Sequence, residues 1–331
     1  EEHFDPPSGS IPVSKNALDS RFHINAHPQF APMNQRLTPT TAVLLTLPPM
    51  MWAGNAVVGR MVSGMVPPMT LNFLRWALAF LFLLPLAGRV LLPSSGLWPH
   101  WRRFALLGLL GVGCYNALQY LALKTSTPLN VTLMASSIPV WMSGIGWLWF
   151  GQQVTYRQLI GIVLSIAGVV IVLCRGQWAL LTHLRLVPGD LYMLAATFAF
   201  ALYSWLLTRS REPAQWRNNW SAFLLAQVTM GLFWSGLFAA GEWTWTNAHI
   251  VWGWPLAAAL LYVGAGPAVL AYCCWGLGVQ RAGPNIAGFF FNLAPLFAAV
   301  MSAAFLGESP QLYHGIAFLL IVAGIVVASR R

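Results

Sequence analysis

The stretch SSIPVWMSGIGWLWFG, Ser136–Gly151, is an unusual segment for the interior of a membrane protein. It lies in a long apolar run, yet it contains one proline, three serines and three glycines. A proline within a helix frees a backbone carbonyl and bends the axis. A bilayer tolerates such a break only where protein or a water-filled cavity satisfies the freed group. The stretch therefore predicts an interrupted membrane-spanning helix that faces other parts of the protein.

The composition of the whole chain is that of an integral membrane protein. Of its 331 residues, 57% are hydrophobic and 8% are charged, whereas about a quarter are charged in soluble domains. The predicted fold is an all-α integral membrane protein with ten transmembrane helices, each near the roughly 20 residues that cross a bilayer. The predicted spans are Thr41–Met61, Pro68–Gly88, Arg103–Ala122, Pro128–Phe150, Gln158–Cys174, Asp190–Thr208, Trp220–Ala240, Trp252–Trp275, Pro284–Leu306 and Leu312–Ser329.

The chain also contains two related halves. When the sequence is shifted along itself without a gap, Gly108 aligns with Gly264, and Pro139 aligns with Pro295. Each half holds five spans, and because five is odd, the second half enters the membrane from the opposite side. This arrangement is two inverted five-helix repeats, which is typical of alternating-access carriers. The predicted divisions are a disordered cytoplasmic tail over 1–40, repeats over 41–175 and 190–331, and an external linker over 176–189.

The positions of the basic residues predict which way the chain faces. The net charge is +10. With the N-terminus in the cytoplasm, thirteen of the eighteen Lys and Arg residues are cytoplasmic, four are external, and Arg75 lies within the second span. Cytoplasmic loops of membrane proteins carry such an excess, so both termini are predicted to be cytoplasmic. The charge therefore indicates topology in a lipid bilayer, and no nucleic-acid partner is predicted.

Several short motifs lie within the spans or at their ends. They include FLR (Phe73–Arg75) in the second span, a proline in the fourth and ninth spans, FLGE (Phe305–Glu308) after the ninth, and AGI in the tenth. Over most of 41–331 this pattern resembles the EamA-type members of the drug/metabolite transporter superfamily, and most of all its bacterial aromatic amino-acid exporters. The first half departs from the pattern with FGQQ (Phe150–Gln153), where Gly-Glu is common. The resemblance implies a multi-pass protein of the bacterial inner membrane.

The spans offer no catalytic group. None of the eight acidic residues lies in the middle of a span, and the four cysteines lack metal-ligand spacing. An enzyme would need paired carboxylates, a histidine cluster, or a nucleophile with its base. The sequence therefore predicts no enzymatic activity, no metal and no cofactor. Proton exchange through an intramembrane carboxylate is disfavoured, while the energy source and the oligomeric state stay open.

Arg75 lies eight residues into its predicted span, away from the ends of the span. A bare arginine is costly at the centre of a bilayer, so Arg75 must face protein or water. One interpretation is structural, with the guanidinium satisfied by carbonyl groups and by Glu308 on the same external side. The other is functional, with Arg75 and Glu308 as a charged gate or with Arg75 as a carboxylate clamp.

Polar and aromatic side chains at mid-span indicate a cavity between the halves. Lipid penalises such groups, so we expect them to face one another. The predicted substrate-binding residues are Trp52, Asn55, Tyr115, Gln119, Ser137, Trp141, Tyr203, Tyr262, Tyr272 and Asn292. Pro139 and Pro295 are predicted hinges of the helices around this cavity, with kinks that serve packing alone as the alternative.

Rings, amides and hydroxyls together suit a solute with an aromatic ring and a zwitterionic head. The predicted function is alternating-access export of aromatic and other bulky neutral amino acids, with flat cationic compounds held through cation–π contacts. Phosphorylated solutes would require clustered Arg or Lys. The alternatives are a broader metabolite or drug exporter of the same superfamily, and a channel or non-transporting scaffold.

Overall fold

The computed structural model describes residues 37–126, 128–177, 179, 186–209, 219–306 and 311–330. Within these ranges all regular structure is helical, and ten helices are long and apolar enough to cross a membrane. The predicted all-α membrane fold with ten spans is therefore confirmed. The tail is described only from residue 37, and the linker only at 176–177, 179 and 186–189. Glu308 lies outside the described residues.

Six of the spans are continuous α-helices. They are the first (Pro39–Met61), second (Pro68–Ala87), fifth (Tyr156–Leu173), sixth (Pro188–Thr208), seventh (Trp220–Trp245) and tenth (Leu312–Ser329). The seventh continues past its predicted end at Ala240 to Trp245 and includes Glu242, which is buried and hydrogen-bonded.

Two buried carboxylates stabilise helix N-termini. Glu242 accepts hydrogen bonds from the backbone N–H groups of Met69 and Thr70, at 3.2 and 2.9 Å, and so caps the second span. Asp190 accepts bonds from the Val187 N–H and the Asn130 amide, at 3.0 and 3.1 Å, near the start of the sixth span. Helix N-termini favour negative charge. Both acidic residues of the described chain therefore have structural partners.

The third and eighth spans each contain a π-helical segment at the same place. The third runs as α-helix Trp101–Leu107, π-helix Gly108–Cys114 and α-helix Tyr115–Thr125; the eighth runs as α-helix Trp254–Val263, π-helix Gly264–Leu270 and α-helix Ala271–Ala282. Each π segment starts at one of the two aligned glycines. Because a π turn widens the helix, it alters the pairing of backbone carbonyls, and such turns are frequent at functional sites.

The fourth and ninth spans are both interrupted. Each consists of two short α-helices joined by a two-residue turn, at 136–137 and 292–293. These helices are Pro128–Ala135 and Ile138–Phe150 in the fourth span, and Pro284–Phe291 and Ala294–Leu306 in the ninth.

The opening stretch is thus broken just before its proline. Pro139 and Pro295 are each the second residue of the following helix, a position at which the missing N–H costs little. The Ser136 and Ser137 hydroxyls each donate a 2.6 Å hydrogen bond to a carbonyl of the preceding turn. The interruption is therefore a two-residue turn, and each proline stands at the start of the helix that follows it rather than inside a bent helix.

The fifth and tenth spans pack together through glycine. A Cβ atom on Gly161 would lie 2.8 Å from the Ala328 side chain, and one on Gly168 would lie 2.7 Å from the Ile321 side chain. Early residues of one helix therefore meet late residues of the other, so the two helices run antiparallel. Small residues allow this close approach of two backbones in a membrane.

We predict that Gly324→Ala destabilises the protein. The new Cβ would lie 2.8 Å from the Gly161 carbonyl oxygen, which belongs to a packed helix backbone, and overpacking costs about 1–3 kcal/mol. Gly315→Ala is the matched control on the same helix, since its Cβ meets nothing within 4 Å. Thermal unfolding in detergent should show a lower midpoint for Gly324→Ala alone; equal midpoints would rule out so close a crossing.

Candidate functional site

A cluster of aromatic rings lies where spans of both halves meet. Neighbouring ring centroids are 4.9–6.4 Å apart, in tilted and edge-on arrangements, which are the favoured geometries for aromatic pairs. We call this set the aromatic cluster; its members are Trp52, Trp76, Tyr115, Phe200, Tyr203, Tyr272, Trp275 and Phe291.

Trp52 links the two halves within the aromatic cluster. Its ring lies 5.4–5.9 Å from four other rings, all of which belong to the second half: Phe200, Tyr272, Trp275 and Phe291. The first half thus contributes a side chain that is surrounded by the second. Trp52 is half-buried, whereas its neighbours Phe200, Tyr272 and Trp275 are almost fully buried.

Two hydrogen bonds connect the halves at equivalent positions. Trp52 Nε1 donates to the Pro267 carbonyl at 3.2 Å, and the Tyr272 hydroxyl donates to the Gly111 carbonyl at 2.6 Å. Gly111 and Pro267 are each the fourth residue of a π segment. One bond therefore runs from the first half to the second, and the other runs back. We call these two bonds the reciprocal clasp.

Four of the ten predicted substrate-binding residues come together in the aromatic cluster: Trp52, Tyr115, Tyr203 and Tyr272. Two others face the sixth span. The Ser137 hydroxyl lies 3.3 Å from the Thr197 hydroxyl, and the Trp141 ring is 5.4 Å from the Phe198 ring.

The predicted amides have different surroundings. Asn292 is buried and donates a 2.8 Å hydrogen bond to Ser165 Oγ, so it joins the ninth span to the fifth. Asn55 is also buried, and its Oδ1 atom has no hydrogen-bond partner among the described residues. Gln119 is half-buried, one helical turn after Tyr115.

Tyr262 lies apart from the aromatic cluster. Its side chain is 38% exposed, and its hydroxyl donates to the Met51 carbonyl at 3.3 Å. None of the ring contacts that build the cluster involves it. Its polar tip thus serves a bond between the first and eighth spans.

Sequence reasoning missed Phe200, which contacts five rings of the aromatic cluster. A search for polar or amphipathic groups at mid-span could not select a phenylalanine, which has no polar atom. Trp275 is held beside it by a 3.1 Å hydrogen bond from Nε1 to Ser204 Oγ. A serine one residue after a tyrosine in the sixth span was the available signal for this pair.

Arg75 lies at the edge of the aromatic cluster and is completely buried. Its Nη1 atom donates to Asn116 Oδ1 at 3.0 Å, and its guanidinium carbon is 5.1 Å from the centroid of the Trp76 ring. Nε and Nη2 have no hydrogen-bond partner within the described part of the chain.

The fold and the site define a multi-pass membrane transporter. The sequence pattern of the EamA-like transporter family matches residues 40–174 and again residues 187–330. The chain therefore belongs to the EamA-like transporter family, as its motifs indicate.

Within the described residues no group of three or more His, Cys, Asp or Glu side chains could hold a metal ion.

Similar proteins include transporters of several organisms. An uncharacterized transporter of Archaeoglobus fulgidus is 26% identical over 88% of this chain and 98% of its own length. The aromatic amino acid exporter YddG of Ancylobacter novellus is 24% identical over 70% of this chain and 76% of its own. A probable terminal-alkyne amino-acid exporter of Streptantibioticus cattleyicolor is 22% identical over 69% and 72%.

A crystal structure of another protein has the same fold. It superposes with a TM-score of 0.68 and 21% identity, over 87% of this chain and 96% of that chain. The likeness therefore extends through both halves.

We predict that Tyr272→Phe destabilises the protein, because it keeps the ring but leaves the buried Gly111 carbonyl without its 2.6 Å donor. An unsatisfied buried acceptor costs about 1–3 kcal/mol. Tyr262→Phe is the matched control, since its bond is longer and its side chain is exposed. Thermal unfolding should distinguish the two variants; a wild-type midpoint for Tyr272→Phe would show that the clasp contributes nothing.

Proposed function

We propose that this protein exports aromatic and other bulky neutral amino acids across the bacterial inner membrane. The observation that carries the proposal is the position of Trp52 among four rings of the other half. A site that holds one aromatic side chain in this way has the shape and surface to hold a substrate ring, and ring pairs contribute about 0.5–1.5 kcal/mol beyond area burial. Two similar proteins named as amino-acid exporters support the same substrate class.

The proposed mechanism is alternating access by two inverted repeats, 41–175 and 190–331, with both termini cytoplasmic and the linker 176–189 external. The antiparallel crossing of the fifth and tenth spans supports opposite orientations. Two π segments and two interrupted spans at matching places support the repeat. In such carriers the two halves exchange conformations around a site near the midplane.

The interrupted spans are the proposed hinges. A two-residue turn precedes Pro139 and Pro295, in the middle of the fourth and ninth spans. A few residues outside regular helix can absorb the backbone rotation that a gating motion needs. Each turn therefore lets one half of its span tilt against the other without breaking a long helix.

Substrate entry requires the rings of the aromatic cluster to separate, because they contact one another in this structure. Displacement of Trp52 would also release its bond to the Pro267 carbonyl. In the proposed cycle, substrate binding is thus coupled to the opening of the reciprocal clasp, because Trp52 takes part in both.

A broader metabolite or drug exporter is the second candidate. Tryptophan faces bind flat cations through cation–π contacts, and Trp52, Trp76 and Trp275 all belong to the aromatic cluster. A channel or a non-transporting scaffold would show no saturable exchange of solutes. Transport measurements with a panel of solutes therefore separate all of these functions.

Purified protein in liposomes should exchange internal unlabelled tryptophan for external labelled tryptophan with saturation. Trp52→Leu should reduce the apparent affinity for tryptophan about tenfold and that for leucine less, because ring contacts are lost. Trp245→Leu is the control, since Trp245 is 87% exposed at the end of the seventh span. An unchanged preference for tryptophan in Trp52→Leu would remove the aromatic cluster from the binding site.

Accessibility labelling tests the proposed topology. In a background without the four native cysteines, Gln177→Cys should react with an impermeant thiol reagent in intact cells. Gln153→Cys should react only after permeabilisation, because the loop between the fourth and fifth spans is cytoplasmic in this arrangement. Both positions are exposed. Reaction of both from outside would refute the inverted repeat.

A further inference from the structure

We infer that Arg75, oriented by Asn116, forms a binding site for the carboxylate of the substrate, at the edge of the aromatic cluster. We call these two residues the carboxylate site. The inference rests on the proposed function, since the ring of the same ligand would occupy the aromatic cluster. The ligand class is a ring-bearing monocarboxylate, of which an aromatic amino acid is one example.

Charge balance is the first argument. Arginine carries its positive charge under all physiological conditions, and a buried charge without a counter-charge is strongly unfavourable. Arg75 is 0% exposed, and its partners within the described chain are a neutral amide and an aromatic ring. Asp190 and Glu242, the acidic residues of that part, are bound at helix N-termini. Among the described residues the guanidinium therefore has no counter-charge, and the carboxylate of a ligand could supply one.

Geometry is the second argument. The two unpartnered nitrogens of Arg75 are Nε and Nη2, which lie along the same edge of the planar guanidinium. Their N–H groups point in parallel and match the two oxygens of a carboxylate. The third nitrogen, Nη1, is held by Asn116 Oδ1 at 3.0 Å. Asn116 therefore orients the guanidinium without neutralising it and leaves the bidentate edge available.

Position is the third argument. The guanidinium lies 5.1 Å from the Trp76 ring, and that ring lies 4.9 Å from the Tyr272 ring, which in turn contacts Trp52. The charge and the aromatic surface are therefore adjacent. A molecule with an aromatic ring and a carboxylate on a short chain can engage both at once, whereas a ring without a carboxylate engages only the cluster.

Asn116→Asp is the decisive variant, because it places a fixed carboxylate beside the guanidinium with little change in shape. The probe is indole-3-propionate, which has a ring and a carboxylate but no amine; indole is its partner without the carboxylate. Ligand-induced shifts of thermal unfolding in detergent report binding without transport. We expect Asn116→Asp to unfold at or above the wild-type temperature and to bind indole-3-propionate ten- to a hundredfold more weakly, with indole unchanged.

Arg75→Lys tests the bidentate geometry, since lysine keeps the charge but lacks the paired donors. It should weaken indole-3-propionate about tenfold and leave indole unaffected. Arg102→Met is the matched control, because Arg102 is an exposed arginine that also lies beside a neighbouring ring, Trp101, at 5.7 Å. Arg102→Met should bind both probes as the wild type does.

Three outcomes would overturn the inference: wild-type protein that does not bind indole-3-propionate, Asn116→Asp that binds it normally, and Glu308→Gln that loses stability which Asn116→Asp restores. The last would mean that Glu308 is the internal counter-charge. Binding of indole-3-propionate without exchange of any amino acid would support the carboxylate site and reject the proposed export. Tryptophan exchange that is insensitive to Asn116→Asp would support the proposed export and reject the carboxylate site.

Discussion

The bilayer requires that every backbone carbonyl within it find a donor in the protein, because no water is available there. Regular helices meet this requirement unaided, so each irregularity in a span needs a side chain to compensate. Trp52 and Tyr272 each donate to a carbonyl of a π segment, and Ser136 and Ser137 donate to carbonyls just before the turn of the fourth span. Two members of the aromatic cluster thus also donate hydrogen bonds to the irregular backbone.

This double use has a thermodynamic consequence for transport. A ligand shifts a conformational equilibrium only through its different affinities for the two states. In the proposed cycle, a ring that enters the aromatic cluster replaces contacts of Trp52 and weakens the clasp at Pro267, so that its binding energy acts on a bond between the halves. In the same proposal, an anion beside Arg75 relieves a buried charge. Recognition and conformational change would then share their side chains.

The sequence predicted the class of protein, the number of spans and the interruption in the stretch that ends at Gly151. These features depend on the length of apolar runs and on proline, which can be read from neighbouring residues. The sequence did not predict the π segments, each of which contains a carbonyl that accepts a hydrogen bond from a side chain far away in sequence. Phe200 was not predicted as part of the site, because a phenylalanine in an apolar span cannot be distinguished by sequence from a lipid-facing residue. The seventh span was predicted to end at Ala240, but its helix continues to Trp245, and the backbone N–H groups of Met69 and Thr70 satisfy Glu242 inside the protein. Each feature that was not predicted depends on contacts with residues that are distant in sequence.

The glycine crossing of the fifth and tenth spans bears on how such a chain could have arisen. Gly161 of one half receives the Gly324 region of the other, and Gly168 receives Ala317 and Ile321. Each half therefore covers glycines of the other, and each also holds a carbonyl that accepts a hydrogen bond from the other half. Two separate five-span chains would have to meet by diffusion in the bilayer before either was complete. Joining them in a single polypeptide guarantees equal amounts of both and makes their pairing intramolecular.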